Sequence, residues 1–335
     1  MAYGYSFDTW IGAGKESTWG TSVARSKYFG IESASLKQEL TKIWSKELRG
    51  RDPRCPNTAR ARGVGDVTLT PYYEGMGLLW GAALFGSTSK QLVAGAYLWQ
   101  FSRQTNAGAY AQVPAGLTLE ENLGIENYLF AGAVVNQATL KCPANDYPSL
   151  QLSMASKGVA LNASPSTPTF ASDALIIQPS QCAVTIGGTD FSDQVENVEI
   201  TWGNSLDVES GRFGSTNIKP PTVKGRADCT AKLTLKYGDA SKALVAAFLA
   251  GTAQSLKIKY TGGAIGATAY NYTLMIELPS CTITDGFPAP SGEGPLPLEL
   301  DLTAYATASG ALWDDATCGM GGAIRVSVQS SLSTL

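Results

Sequence analysis

Residues 65–86 read GDVTLTPYYEGMGLLWGAALFG, and residues 228–251 read DCTAKLTLKYGDASKALVAAFLAG. Each is an alternating strand that ends on tyrosine (Tyr72 or Tyr73, then Tyr237), a few turn residues, and an apolar helix closed by Gly86 or Gly251. The helices align at an offset of about 165 residues, half of the 335-residue chain. A repeat of that size is a whole domain rather than a solenoid unit, and each half is long enough to bury its own core.

The expected fold class is mainly β. Val67 and Leu69 alternate with polar neighbours, as in a half-buried strand. The helix after them is short and apolar, with Gly86 at the expected left-handed cap. In the second copy Asp239 is the expected N-cap, and Leu244, Ala247 and Phe248 make an i, i+3, i+4 stripe. Further strands are expected at 138–141 and 150–154, matched loosely by 281–284 and 298–302. The chain therefore reads as a polar, glycine-rich N-terminal arm (1–30) and two tandem β-barrel or β-sandwich domains (31–165 and 166–335). Each domain has one short flanking helix and one long projecting loop. The Pro/Ser/Thr-rich stretch 162–170 links them.

Charged residues make up 16% of the chain, below the usual quarter, and Gly, Ser, Thr and Ala take their place. Such a surface suits a β-rich protein with extensive protein contacts. The first residues lack the basic-then-apolar run of a signal peptide, and the apolar run 76–85 is too short to cross a bilayer. The expected site of synthesis and assembly is the cytoplasm.

Chemistry is sparsely provided for. The chain has no histidine, which removes Ser-His-Asp and Cys-His arrangements. Its six cysteines (55, 142, 182, 229, 281 and 318) form no C-x-x-C pair, so zinc is not expected and buried reduced thiols are. Gly14-Lys15 lacks the remainder of a phosphate-binding loop, and the glycines at 262–266 and 319–322 read as plain loops. The pairs Glu120/Glu121 and Asp314/Asp315 read as solvated loop acids, since neighbours on a strand point to opposite faces. No catalytic residue, cofactor or metal is assigned.

Charge is distributed unevenly. Residues 1–165 carry a net +3 and residues 166–335 a net −6. Drift after duplication explains this, and so does attraction between unlike halves of neighbouring copies. The basic stretch 37–62 includes Arg49, Arg51, Arg54, Arg60 and Arg62, with Pro53 and Pro56 inside it. The prolines break any continuous element, so it reads as an extended hairpin with a loop at its tip. Nucleic-acid binding, docking onto an acidic partner surface and a plain solvated loop all fit its charge. With Trp44 standing alone, there is no stacking platform for a nucleic acid.

The segment Gly14-Lys15-Glu16-Ser17-Thr18-Trp19-Gly20-Thr21 resembles a G-x-E-x-T-aromatic-G-T signature. That signature marks the tail tube (major tail) proteins of long, non-contractile-tailed bacteriophages, and it matches at Gly14, Glu16, Thr18, Gly20 and Thr21. With the strands, long loop and helix that follow, the resemblance spans most of residues 12–160; the second half resembles the fold more loosely. It implies a non-enzymatic virion protein whose inner sheets line a channel and whose long loop contacts the next ring. Duplicated members of the family look like trimers that imitate six-fold symmetry. The resemblance also implies stacking into a tube, passage of genomic DNA without sequence-specific binding, and contacts with a tape measure protein and with tail terminator and tip proteins. Another β-rich virion component, such as a capsid decoration or a carbohydrate-binding module, is the alternative.

Overall fold

A computed structural model describes residues 5–46, 52, 54–103, 116–211, 213–290, 294–306 and 322–335. The first half runs β1 (Trp10–Lys15), β2 (Lys37–Ser45), β3 (Arg54–Leu69), α1 (Gly77–Leu84), β4 (Ser87–Val93) and β5 (Ala96–Ser102). It continues through β6 (Leu117–Asn122), β7 (Asn127–Pro143), β8 (Ser149–Ser156) and β9 (Gly158–Leu161). The second runs β10 (Cys182–Ile186), β11 (Val195–Gly203), β12 (Asp228–Lys236), α2 (Lys242–Ala250), β13 (Gln254–Ala264), β14 (Asn271–Asp285), β15 (Pro297–Ala304) and β16 (Arg325–Ser330).

Antiparallel pairing arranges the first set in two sheets that share the long strand β7. One is β2–β3–β8–β7 and the other β1–β6–β7–β9. The same order recurs in the second set as β11–β12–β15–β14 and β10–β13–β14–β16, with β14 shared. Register recurs as well: Leu69 faces Leu150, and Leu235 faces Leu298. A one-residue bulge skips Asn136 in β7 and Thr284 in β14 at the corresponding place. Among the described residues, the β4–β5 hairpin of the first half has no counterpart in the second.

Period-two patterning accounts for these strands. In β12, Cys229, Ala231, Leu233 and Leu235 are buried, and the residues between them are less so. Leu298, Leu300 and Leu302 of β15 do the same beside them. The buried side chains of both halves form one continuous cluster. The halves also join edge to edge, because residues 137–143 of β7 pair with 197–203 of β11. One sheet thus runs β2–β3–β8–β7–β11–β12–β15–β14. A second join pairs β5 with β16. The mainly β expectation holds, but among the described residues the strand ladder does not close on itself, so the sheets are open rather than barrels.

Three local expectations are corrected. The expected polar, glycine-rich arm (1–30) is part of the sheet from residue 10 on: Trp10, Ile11 and Ala13 of β1 are buried, and Lys27–Gly30 pairs back onto that strand. Gly12 and Gly14 are buried too, so the sequence shows no polar alternation there. The left-handed cap of α1 is Phe85 (φ 65°), one residue before the glycine, with its N–H on Gly81 O. Gly251 (φ 63°) caps α2, so the caps and the Leu69/Leu235 pair both lie 166 residues apart, one more than the sequence alignment implies. Finally, Ser241 rather than Asp239 precedes α2, and Asp239 instead pairs with Lys242 at 2.5 Å.

Helix α1 is wedged between the halves. Trp80 stacks on Trp202 of β11, with ring centroids 6.4 Å apart, and Ala83 O accepts from Trp202 Nε1 (3.2 Å) and Asn204 Nδ2 (3.0 Å).

Candidate assembly surfaces

The N-terminal signature is a structural knot. Glu16 is 2% exposed, and its carboxylate accepts from Gly20 N (2.6 Å), Thr118 Oγ1 (2.8 Å) and Gly132 N (2.8 Å). A buried carboxylate is tolerable only with such donors around it. It binds the turn after β1 to β6 and to the middle of β7. The turn itself closes through Thr21 N donating to Thr18 O (3.1 Å). Gly20 sits at φ +71°, a conformation that favours glycine. A Cβ on Gly14 would collide with the Ala24 carbonyl oxygen. Trp19 completes the knot by donating Nε1–H to Gly132 O (3.0 Å). The spacing of the motif therefore has a physical reason: two glycines for close approach and turning, and one acid to hold them. The side chains of Thr18 and Thr21 are exposed.

Glu120 and Glu121 are not solvated loop acids. Both lie on β6, and they are 0% and 4% exposed. Glu120 pairs with Arg25 (2.5 Å) and accepts from Asn162 Nδ2 (2.9 Å), Ser166 N (2.9 Å) and Ser166 Oγ (2.7 Å). That pins the stretch 162–170 against the sheet. Burial alone pushes the Glu121 carboxyl up to about 7. A folded-state pKa above the unfolded value means that stability falls as pH rises from about 4.5 to about 7 and is then level. Glu121→Gln should therefore match the wild type in urea unfolding near pH 4. At pH 8 it should exceed it by about 2 kcal/mol, a figure reduced for partial solvent screening. Equal stability at both pH values would contradict this. The pair Asp314/Asp315 lies outside the described residues.

The basic stretch forms the β2–β3 hairpin, as expected for its described part. Arg49 and Arg51 lie outside the described residues, and Arg54 begins β3. Arg62 is 7% exposed and faces inward. Its guanidinium meets Glu39 (2.9 Å), Glu209 (3.2 Å) and Val208 O (2.9 Å). Arg60 donates to Glu209 O (2.5 Å). The long connection of the second half folds onto this root, with Ala61 N donating to Thr216 O (2.7 Å). Arg60 and Arg62 thus clamp the hairpin base to the same chain. Sequence reasoning missed this clamp because Glu39 and Glu209 lie 170 residues apart.

Among the described residues no group of three or more His, Cys, Asp or Glu residues could hold a metal ion. Cys142, Cys182, Cys229 and Cys281 are free thiols, and burial raises the pKa of each, to about 12 for Cys142. No described helix is long and apolar enough to cross a membrane. No curated protein matches the chain. The family model described as phage tail tube protein matches residues 6–316, from just before β1 to beyond β15. With that match over nearly the whole length, a mainly β fold and the signature built into its core, the chain belongs to the phage tail tube protein family, the structural components of the virion tail.

Proposed function

We propose that this chain builds the tail tube by self-assembly, and that three copies close a ring with pseudo-six-fold symmetry. The two halves, residues 31–165 with the preceding strand and residues 166–335, act as two copies of one domain. One observation supports this most: the strand order occurs twice, and its two occurrences are joined edge to edge through β7 and β11. The ends of that eight-strand sheet are β2 and the end of β14, and among the described residues no further strand pairs with 37–41 or 282–285. An end that resembles the inner junction invites a second copy in a head-to-tail contact, which closes into a ring when the rotation allows. The unlike net charges of the halves, +3 and −6, favour the same contact.

Rings then stack into a tube whose bore passes genomic DNA into the host without sequence-specific binding. The tape measure protein and the tail terminator and tip proteins are the further partners, and assembly takes place in the host cytoplasm. Negative-stain images of the purified protein test the reading: rings or tubes with a central hole support it, and compact monomers at high concentration contradict it.

Ring-to-ring contact is assigned to the tip of the β2–β3 hairpin. Arg60 and Arg62 hold its base, which leaves Arg49, Arg51 and Arg54 for the neighbouring ring. Reversing those three to Glu should leave folded subunits and rings but stop elongation, read as loss of tubes in the images. Tubes of normal length would overturn the assignment.

A further inference from the structure

Helices α1 and α2 occupy equivalent places in the two halves yet differ sharply in cover. Aligned on their left-handed caps, Phe85 and Gly251, Trp80 corresponds to Ala246, Ala83 to Leu249 and Leu84 to Ala250. Trp80, Ala83 and Leu84 are each 0% exposed. Ala246 and Ala250 are exposed, and Leu249 is 71% exposed. Leu78 and Leu79 correspond to Leu244 and Val245, and all four are buried. The inward faces therefore match, and only the outward face of α2 is bare. Phe287, 64% exposed, adds to this apolar surface. It follows Gly286, which lies against Phe248 of the helix.

The Trp80–Ala83 face of α1 is covered by the end of β11 and the residue after it, through Trp202 and Asn204, while Phe101 of β5 and Leu335 lie over Gly77 on another face. The strand equivalent to β11 is β2. Trp202 faces Cys229 in β12 and Gln38 faces Gly63 in β3. Cys229 and Gly63 are equivalent positions by the Leu69/Leu235 register. Gln38 thus stands in the place of Trp202, and Leu40 in the place of Asn204. Gln38 carries an amide N–H donor where Trp202 carries its indole N–H. Leu40 is 45% exposed, an apolar side chain without cover on an edge strand.

We infer that the outward face of α2, centred on Leu249, is the docking site for strand β2 of a second copy, with Leu40 and Gln38 seated on the last turn of the helix. The contact would repeat between chains what Trp202 and Asn204 do within one. It rests on the ring assembly proposed above and specifies the surface that closes the ring.

The test uses the full chain. Leu249→Lys alters an exposed residue, so its thermal melt should equal that of the wild type. Its assembly into rings should need a concentration higher by roughly tenfold or more, and Leu249→Met should assemble normally. A photoreactive benzoylphenylalanine at 249, in mixed isotopically labelled samples, should cross-link to residues 36–41 of another copy. Wild-type rings alongside unimpaired Leu249→Lys rings, or cross-links only to other segments, would overturn this surface and leave the ring itself standing. Failure of the wild type to form rings at all would overturn the assembly reading on which the surface depends.

Discussion

Gln38→Pro should give a folded, monomeric chain that forms neither rings nor tubes. Asn204 N donates to Asn136 O at 2.7 Å, so the N–H of Trp202, two residues earlier on β11, also points to β7 across the junction of the halves. Gln38 occupies the place of Trp202 in the repeat, so its backbone N–H points away from β3, towards the open edge. Proline there removes only that outward donor, and edge strands tolerate it. Within the chain the equivalent residue is Trp202, paired with Ala138 across the junction of the halves. The bulges at Asn136 and Thr284 make Gly286 the equivalent of Ala138. Gln38 of one copy is therefore expected beside Gly286 of the next. The prolines at 288 and 290 limit that ladder to a few residues, so each outward donor counts heavily. Light scattering during size-exclusion chromatography reads the result: a monomer with a wild-type melting temperature is expected. Rings at wild-type concentration would show that the β2 edge is not a joint.

Glu16→Ala is the second large effect, and it acts on the fold. Removing the carboxylate strands three donors, Gly20 N at a half-buried turn and Thr118 Oγ1 and Gly132 N in buried bonds. Buried unsatisfied groups cost about 1–3 kcal/mol each, so the expected loss is about 3 kcal/mol once partial relaxation is allowed. Glu16→Gln keeps one acceptor oxygen and should lose less. Urea unfolding followed by tryptophan fluorescence measures both, because Trp19 rests on the same knot. A loss below about 0.5 kcal/mol for Glu16→Ala, the scatter of ordinary surface substitutions, would mean that the signature does not hold β1 to β6 and β7.

The signature and the repeat were legible for the same reason: both are local. A strand that ends on tyrosine and runs into a glycine-closed helix can be read within 24 residues, and the β3–α1 and β12–α2 units lie where the pattern puts them. What could not be read depends on contacts far apart in the chain. The shared strands β7 and β14 serve two sheets each, and no local period reveals where one sheet ends and the next begins. Glu120 and Glu121 look like surface acids until residues 162–166 and Arg25 close over the first and the sheet buries the second. Strand β1 escapes notice because it is buried on both faces, with Gly12 packed under Tyr28 and Gly14 under Ala24, so it shows no polar alternation. The cap at Phe85 defies the preference for glycine in a left-handed cap, and Gly86 beside it invites the wrong assignment. Arg62 reads as part of a basic patch, yet its partners Glu39 and Glu209 are brought together only by the meeting of the two halves.

In the proposed assembly each chain supplies two of six equivalent positions in a ring. Electron cryomicroscopy of the assembled protein at side-chain resolution tests it most directly. Three chains per ring are expected, with β2 of each chain beside residues 284–286 of the next and Leu40 on the last turn of α2. A ring of six chains, or a ring joined through surfaces other than β2 and α2, would contradict it.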